Sequence, residues 1–200
     1  SHMRSVILGG GQLAIMMIHM SQKHEIDFII VDPADNPPAS QYSKHIKSNY
    51  NDKGTLNLLI NQCDVITIDF ENVPAEALKY LEDKIKVYPN STAVEVCQDR
   101  LKGKNIFQEN GIPITEYKKI NSKDDLISAI DDLGKDSILK SRKLGYDGKN
   151  QIRMDSCTPE NAWTRSSGVD AILEKKINFK TEVSLIGVRT KTQKPFFILL

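Results

Sequence analysis

Short β-branched runs alternate with helical segments through the first ninety residues, and this alternation limits the possible folds more than any other feature. Val6-Ile7-Leu8 runs into Gly9-Gly10-Gly11, and Gln12 to Met20 is then almost wholly apolar, as in a helix packed on a sheet. Phe28-Ile29-Ile30-Val31 predicts a second strand ending in Asp32-Pro33, His45 to Ser48 a third and Val65-Ile66-Thr67-Ile68 a fourth, with a helix over Thr55 to Gln62. Pro74 is expected in the first turn of another helix, where its missing N–H costs nothing, and Ile85 to Tyr88 closes the series. Strands alternating with helices mean βαβ units and a parallel sheet.

The pattern changes around Pro89 to Asp99. Helices over Thr92 to Gln98 and Arg100 to Asn110 end at the stop signal Gly111-Ile112-Pro113. Strands are expected at Thr115 to Lys119, Ser137 to Ser141, Gln151 to Met154, Ala171 to Lys175 and Thr181 to Arg189. Ser122 is placed to cap a helix reaching Leu133, and another helix follows Thr158-Pro159. The fold class expected is α/β: a Rossmann-like parallel βαβ domain over residues 4–95, then an α+β domain with an antiparallel sheet over residues 96–200. Because residues 195–200 run Pro-Phe-Phe-Ile-Leu-Leu with no turn or polar flank, the second domain is expected to be incomplete, its edge an aggregation hazard. Ser1-His2-Met3 resembles a cloning leader and stays outside the fold argument.

Lys and Arg number 27 against 26 Asp and Glu, a net charge of +1, and neither end is a basic tail. No concentrated positive face is therefore expected for nucleic acid or anionic lipid, and no apolar stretch approaches the roughly 20 residues that span a bilayer. Cys63, Cys97 and Cys157 are odd in number and far apart, which argues against a disulfide framework or zinc site and for a reducing cytoplasm.

Gly9-Gly10-Gly11-Gln12-Leu13-Ala14 fits the G-x-G-x-x-A turn of dinucleotide sites, with Asp32 where a ribose-binding acid belongs. The physics is broader, since free N–H groups at a helix start suit any anion. A dinucleotide, another anionic ligand, or a tight turn holding nothing all remain open.

Three features of the second half join it. Lys140 to Gln151 carries four cations, two glycines and one acid between two strands; a glycine-containing cationic loop suits closure over phosphates, or is simply a solvated basic turn. Ile172-Leu173-Glu174-Lys175-Lys176-Ile177 is a strand ending in a carboxylate that could accept from an adenine amino group. In Thr181 to Arg189, Glu182 alternates with Val183 and could face a ribose hydroxyl while Val183 packs. Asp99-Arg100 adds a guanidinium able to fork onto phosphate, or a helix-start salt bridge.

With these motifs in order, the chain resembles the ATP-grasp ligases, and among them the N5-carboxyaminoimidazole ribonucleotide synthetases. The resemblance runs from Val6 to about Arg189 through the glycine turn, Asp69-Phe70-Glu71-Asn72-Val73-Pro74, Asp99-Arg100, Gly111-Ile112-Pro113, Gly145-Tyr146-Asp147-Gly148-Lys149 and Ile177-Asn178-Phe179 with Glu182-Val183-Ser184. Leu144 and Asn150 stand where relatives carry glycine, and Ile15 where many carry arginine.

The resemblance implies carboxylation of 5-aminoimidazole ribonucleotide by bicarbonate with ATP, in the cytoplasm, in a protein whose relatives are often homodimers. It implies that Arg100 and Lys140 contact ATP phosphates, that Gly145, Tyr146, Asp147, Gly148, Lys149, Asn150 and Gln151 form a lid, that Glu174, Lys175, Lys176 and Ile177 line the adenine pocket, and that Glu182 binds the ribose. Gly11, Gln12, Leu13 and Glu71 fall on the ribonucleotide side with Tyr146, Asp147 and Lys149; Asp147 and Lys149 are the catalytic candidates. Mg²⁺ ligands are expected beyond residue 200, with none in this chain.

Overall fold

Val6, Ile7 and Leu8 have no exposed surface, and around them the first half of the chain assembles. A computed structural model of the protein describes residues 2–143, 151–192 and 194–200. Strands β1 (Met3–Leu8), β2 (Ile26–Asp32), β3 (Lys44–Lys47), β4 (Val65–Ile68) and β5 (Lys86–Val87) form one sheet in the order β3-β2-β1-β4-β5, and every pair is parallel. β1 takes in Met3, which pairs with Ile26, so the leader-like residues are partly structural. One face of the sheet packs Val6, Leu8, Val31 and Ile66 against Leu56 and Leu59 of α2 (Lys53–Gln62), Leu78 and Leu81 of α3 (Ala75–Glu82) and Val94 of α4 (Ser91–Gln98). The other packs Ile7 and Ile30 against Ala14 of α1 (Gln12–Met20).

One expectation fails here, and one element is more exposed than its make-up implies. Pro74 caps α3 rather than entering its first turn. α1 is less buried than its composition suggests, with only Ala14 fully covered and Leu13, Met16 and Met20 exposed. Side chains on the helix face turned from the sheet meet solvent whatever their hydropathy.

The second sheet is antiparallel throughout, as expected: β6 (Tyr117–Ile120), β7 (Ser137–Ser141), β8 (Gln151–Arg153) and β9 (Ala171–Lys175) run in the order β6-β9-β7-β8. α6 (Lys123–Leu133) and α7 (Pro159–Arg165) cover one face, with Leu126, Ile130, Leu133 and Ala162 against Leu139, Ile152 and Leu173. Ser122 caps α6 as read, its hydroxyl accepting from the Asp125 N–H. Between the sheets, α5 (Arg100–Glu109) follows α4 after the single residue Asp99. Among the described residues no helix is long and apolar enough to cross a membrane.

β10 (Leu185–Val188) and β11 (Phe196–Leu199) form a separate antiparallel pair in which every strand residue is exposed. The strand expected from Thr181 begins only at Leu185, and neither Glu182 nor Val183 is packed, so alternation gives no inward and outward face there. An uncovered apolar strand pair offers unpaired edges to another chain. Sedimentation velocity is expected to show concentration-dependent association, and Phe197→Glu with Leu199→Glu to abolish it.

Candidate functional site

β1 delivers the glycines to the carboxyl ends of the strands, beside the point where the strand order reverses between β1 and β4, the usual ligand crevice of an open α/β sheet. Asp69 follows β4 directly and reaches across this crevice. Its Oδ2 accepts from the Gly11 N–H at 2.7 Å and its Oδ1 from the Ala14 N–H at 2.7 Å. Asp32, the last residue of β2, accepts from the Gly10 N–H at 2.9 Å through Oδ2 and from the Ala34 N–H at 2.8 Å through Oδ1.

The helix-start donors expected to be free for an anion are thus largely filled by the protein's own carboxylates, and Asp32 secures two loops rather than standing ready for a ribose. Unpaired N–H groups at a helix start favour negative charge, and the neighbouring strands supply it. Among the described residues, the N–H groups of Gln12 and Leu13 keep no partner, and both residues are exposed. Tyr50 lies nearby, its ring 5.8 Å from Phe70; burial raises its hydroxyl well above the usual range, and the charges of Asp32 and Asp69 add to this.

Glycine is required by contact. A Cβ on Gly11 would stand 2.7 Å from Asp69 Oδ2, and one on Gly10 would stand 2.7 Å from Ile30 Cγ2 and 2.8 Å from Pro37 Cβ. Gly10→Ala is expected to cost about 1–3 kcal/mol by overpacking, read as a lower midpoint in urea unfolding.

A second cluster sits where α5 meets the antiparallel sheet. Asp99, 2% exposed, caps α5 by accepting from the N–H groups of Leu101 and Lys102, and it also takes Arg142 Nη2 at 2.7 Å and Nε at 3.2 Å. Burial pushes the Asp99 carboxyl up, but hydrogen bonds from Arg142 and the helix N–H groups outweigh it and leave the carboxyl below its usual range. The salt bridge at this helix start is therefore Asp99 with Arg142. Arg100 instead joins β7, its N–H donating to the Arg142 carbonyl at 2.8 Å and its Nε to the Ser141 carbonyl at 3.1 Å.

Beside it, Glu174 of β9 is buried between two ammonium groups: Lys140 Nζ at 2.5 Å from Oε2 and Lys104 Nζ at 2.9 Å from Oε1. Burial raises the Glu174 carboxyl, and hydrogen bonds from Lys140 and Lys104 bring it below its usual range. Both oxygens expected to meet an adenine amino group are thus engaged by lysines in this structure, because a carboxylate at 11% side-chain exposure needs counter-charge.

Arg100, Lys140 and Glu174 are thus brought together. Lys175 and Lys176 follow, but their N–H groups donate to the carbonyls of Glu116 and Asp136, and the Lys175 carbonyl accepts from Thr115 Oγ1. The Lys176 carbonyl and Ile177 N–H have no partner among the described residues. Gln151, at the start of β8, and Glu182 are exposed. Gly11, Gln12 and Leu13 lie at the other crevice, where Asp69 holds Gly11, and the half-buried Glu71 follows Asp69 by two residues. A hydrogen-bonded path joins the two: Gln98 Nε2 donates to the carbonyls of Glu71 at 2.7 Å and Val73 at 2.6 Å, and Asp99 and Arg100 come next in the chain. Gly145, Tyr146, Asp147, Gly148, Lys149 and Asn150 lie outside the described residues.

Sequence reasoning gave no role to Lys104 or Asp69. Lys104 lies four residues after Arg100, on the same helix face, and that spacing was readable. Asp69 ends the loop-ward side of β4, but its reach to Gly11 required knowing that β4 lies beside β1.

Residues 3–98 match the ribonucleotide synthetase preATP-grasp domain and residues 105–198 the ATP-grasp domain. An N5-carboxyaminoimidazole ribonucleotide synthase of Pseudomonas aeruginosa is 34% identical over 190 residues, which cover 94% of this chain and 53% of the relative. The ADP-bound N5-carboxyaminoimidazole synthetase of Staphylococcus aureus superposes with a TM-score of 0.93 at 32% identity, covering 98% of this chain and 54% of that one. The Aspergillus clavatus N5-carboxyaminoimidazole synthase, in complex with ADP and 5-aminoimidazole ribonucleotide, gives 0.85 at 26% identity, covering 98% and 52%. The chain spans about half the length of these relatives. With its parallel βαβ sheet leading through Asp99-Arg100 into the antiparallel Lys140–Glu174 sheet, the chain belongs to the ATP-grasp family, as a ribonucleotide synthetase preATP-grasp domain followed by ATP-grasp sequence.

Proposed function

We propose that the whole protein is an ATP-grasp ligase that joins bicarbonate to the exocyclic amine of 5-aminoimidazole ribonucleotide, with cleavage of ATP to ADP and phosphate. The observation that carries this reading is the cluster of Arg100, Lys140, Lys104 and Glu174 at one end of the antiparallel sheet, together with relatives that bind ADP and this ribonucleotide. In this reading Lys140 and Arg100 meet phosphate oxygens, the Lys176 carbonyl and Ile177 N–H meet the adenine edge, and Glu182 meets the ribose. The ribonucleotide lies against Gly11, Gln12, Leu13 and Glu71, where Gln12 and Leu13 keep N–H groups to offer and Glu71 can accept from ribose hydroxyls. Asp147 hydrogen-bonds the reacting amine, and Lys149 and Tyr146 close over it, excluding water from an easily hydrolysed acyl phosphate.

Among the described residues, no three His, Cys, Asp or Glu side chains gather as a cation site. Turnover is assigned to the intact cytoplasmic protein, a homodimer in this reading, and the present chain alone is expected to show at most marginal phosphate release dependent on both ribonucleotide and bicarbonate.

Thermal melting with ATP, NADH and 5-aminoimidazole ribonucleotide tests the reading. A ligand at about 100 times its dissociation constant stabilises by about 2.7 kcal/mol, so ATP is expected to raise the melting temperature and NADH to leave it unchanged. Stabilisation by NADH and not by ATP would overturn the assignment in favour of a dinucleotide oxidoreductase.

A further inference from the structure

The Glu174 carboxylate has one more cation than it needs. Lys140 reaches it from the neighbouring strand β7, and Lys104 from α5, one helical turn beyond Arg100. The two lysine side chains are themselves only 20% and 16% exposed, so three charged groups sit together largely out of water. The cluster carries a net charge of +1. Lys104 is also 5.8 Å from the Tyr117 ring centroid, and Tyr117 is the cross-strand partner of Glu174, so Lys104 stays over this carboxylate from a fixed helix.

An arriving polyanion competes with Glu174 for Lys140. If Lys140 were the only partner, its departure would leave a buried carboxylate without counter-charge, a costly state in a poorly solvated site. With Lys104 in place, Glu174 remains paired and Lys140 can turn its ammonium to the anion. We propose that Lys104 is a positioning residue of the nucleotide site, one that holds the charge of Glu174 so that Lys140 is released to the phosphates of ATP. This rests on the nucleotide reading above and adds to it a residue that need not touch the ligand.

The consequence is a dependence of phosphate binding on Lys104 that vanishes when Glu174 is neutral. Four forms of the full 200-residue chain make the test: the parent, Lys104→Met, Glu174→Gln and the double variant. Each is titrated with ATP and with adenosine by calorimetry, after a melt confirms folding. Lys104→Met is expected to weaken ATP binding by about 30-fold in the parent, the size typical of leaving a buried charge unpaired, and by less than about threefold in the Glu174→Gln background. Adenosine, which has no phosphate to draw Lys140 away, is expected to bind Lys104→Met as it binds the parent. Lys104→Arg, which keeps the charge, is expected to retain ATP binding, and it serves with the parent if Lys104→Met does not fold: Lys104→Gln combined with Glu174→Gln then replaces the double variant, compared against Glu174→Gln alone.

ATP affinity unchanged by Lys104→Met overturns the inference while leaving the nucleotide reading intact. So does an equal loss in both backgrounds, or an equal loss for adenosine, since each means Lys104 acts independently of Glu174 or only through general structure. A parent chain that binds neither ATP nor adenosine overturns the nucleotide reading and this inference with it.

Discussion

Asp99→Ala is expected to destabilise the protein by about 3–5 kcal/mol, the usual cost of breaking a buried ion pair from one side. The carboxylate does two jobs from a position with 2% exposure: it accepts from the first N–H groups of α5 and it forks onto Arg142 at the end of β7. Removing it leaves Arg142 (18% exposed side chain) without its partner and uncaps the helix that carries Arg100 and Lys104. The measurement is the urea midpoint of the variant against the parent, with an unchanged midpoint contradicting the account.

The same pair sets an acid limb. The Asp99 carboxyl titrates below its ordinary value of 3.8 in the folded chain, so its contribution is fully present above about pH 4 and is lost as pH falls through the lower folded value. Glu174, also held below its ordinary 4.5, acts with the same sign. Stability should therefore fall steeply below about pH 4 in the parent and less steeply in Asp99→Ala. A parallel pH dependence in the two proteins would show that Asp99 has no such role.

Asp69→Ala is expected to cost about 2–4 kcal/mol, since two charge-accepting hydrogen bonds are lost and the N–H groups of Gly11 and Ala14 are orphaned. Ala14 is wholly buried, so water cannot replace the lost acceptor there without opening the turn. The variant also vacates a helix N-terminus beside the crevice, where inorganic phosphate can enter. Added phosphate is expected to raise the melting temperature of Asp69→Ala and not that of the parent, in which the carboxylate already fills the place. Equal phosphate stabilisation of both proteins would show the parental turn to be open to anions after all.

Much of this architecture was legible in advance for a local reason. Val6-Ile7-Leu8, Phe28 to Val31 and Val65 to Ile68 are β-branched or aromatic runs between turn residues, and Ser122 with Asp125 marks a helix start, so these elements were located, β4 to the residue and β1 without its first three residues. The failures have a common cause. α1 is apolar nearly all round, yet only Ala14 is fully buried, because which face meets the sheet depends on packing. Thr181 to Ser184 read as strand because residues alternate, yet backbone pairing reaches only as far as Ser184, which exchanges hydrogen bonds with Leu200.

The candidate site divides in the same way. Gly11, Arg100, Lys140 and Glu174 stood out in the sequence by their chemistry and their order, and the resemblance they carried named the family. Composition and local pattern determined the elements, their alternation and the parallel and antiparallel character of the two sheets, because helix and strand periods are properties of a few consecutive residues. Only the tertiary structure decided that Asp69 fills the helix start at Gly11, that Asp99 takes Arg142 rather than Arg100, and that Lys104 shares Glu174 with Lys140. Each of these pairs joins residues more than forty or more than thirty positions apart. Such partners are chosen by strand order and by the need of a buried charge for the nearest opposite one, and neither is written in any short stretch of chain.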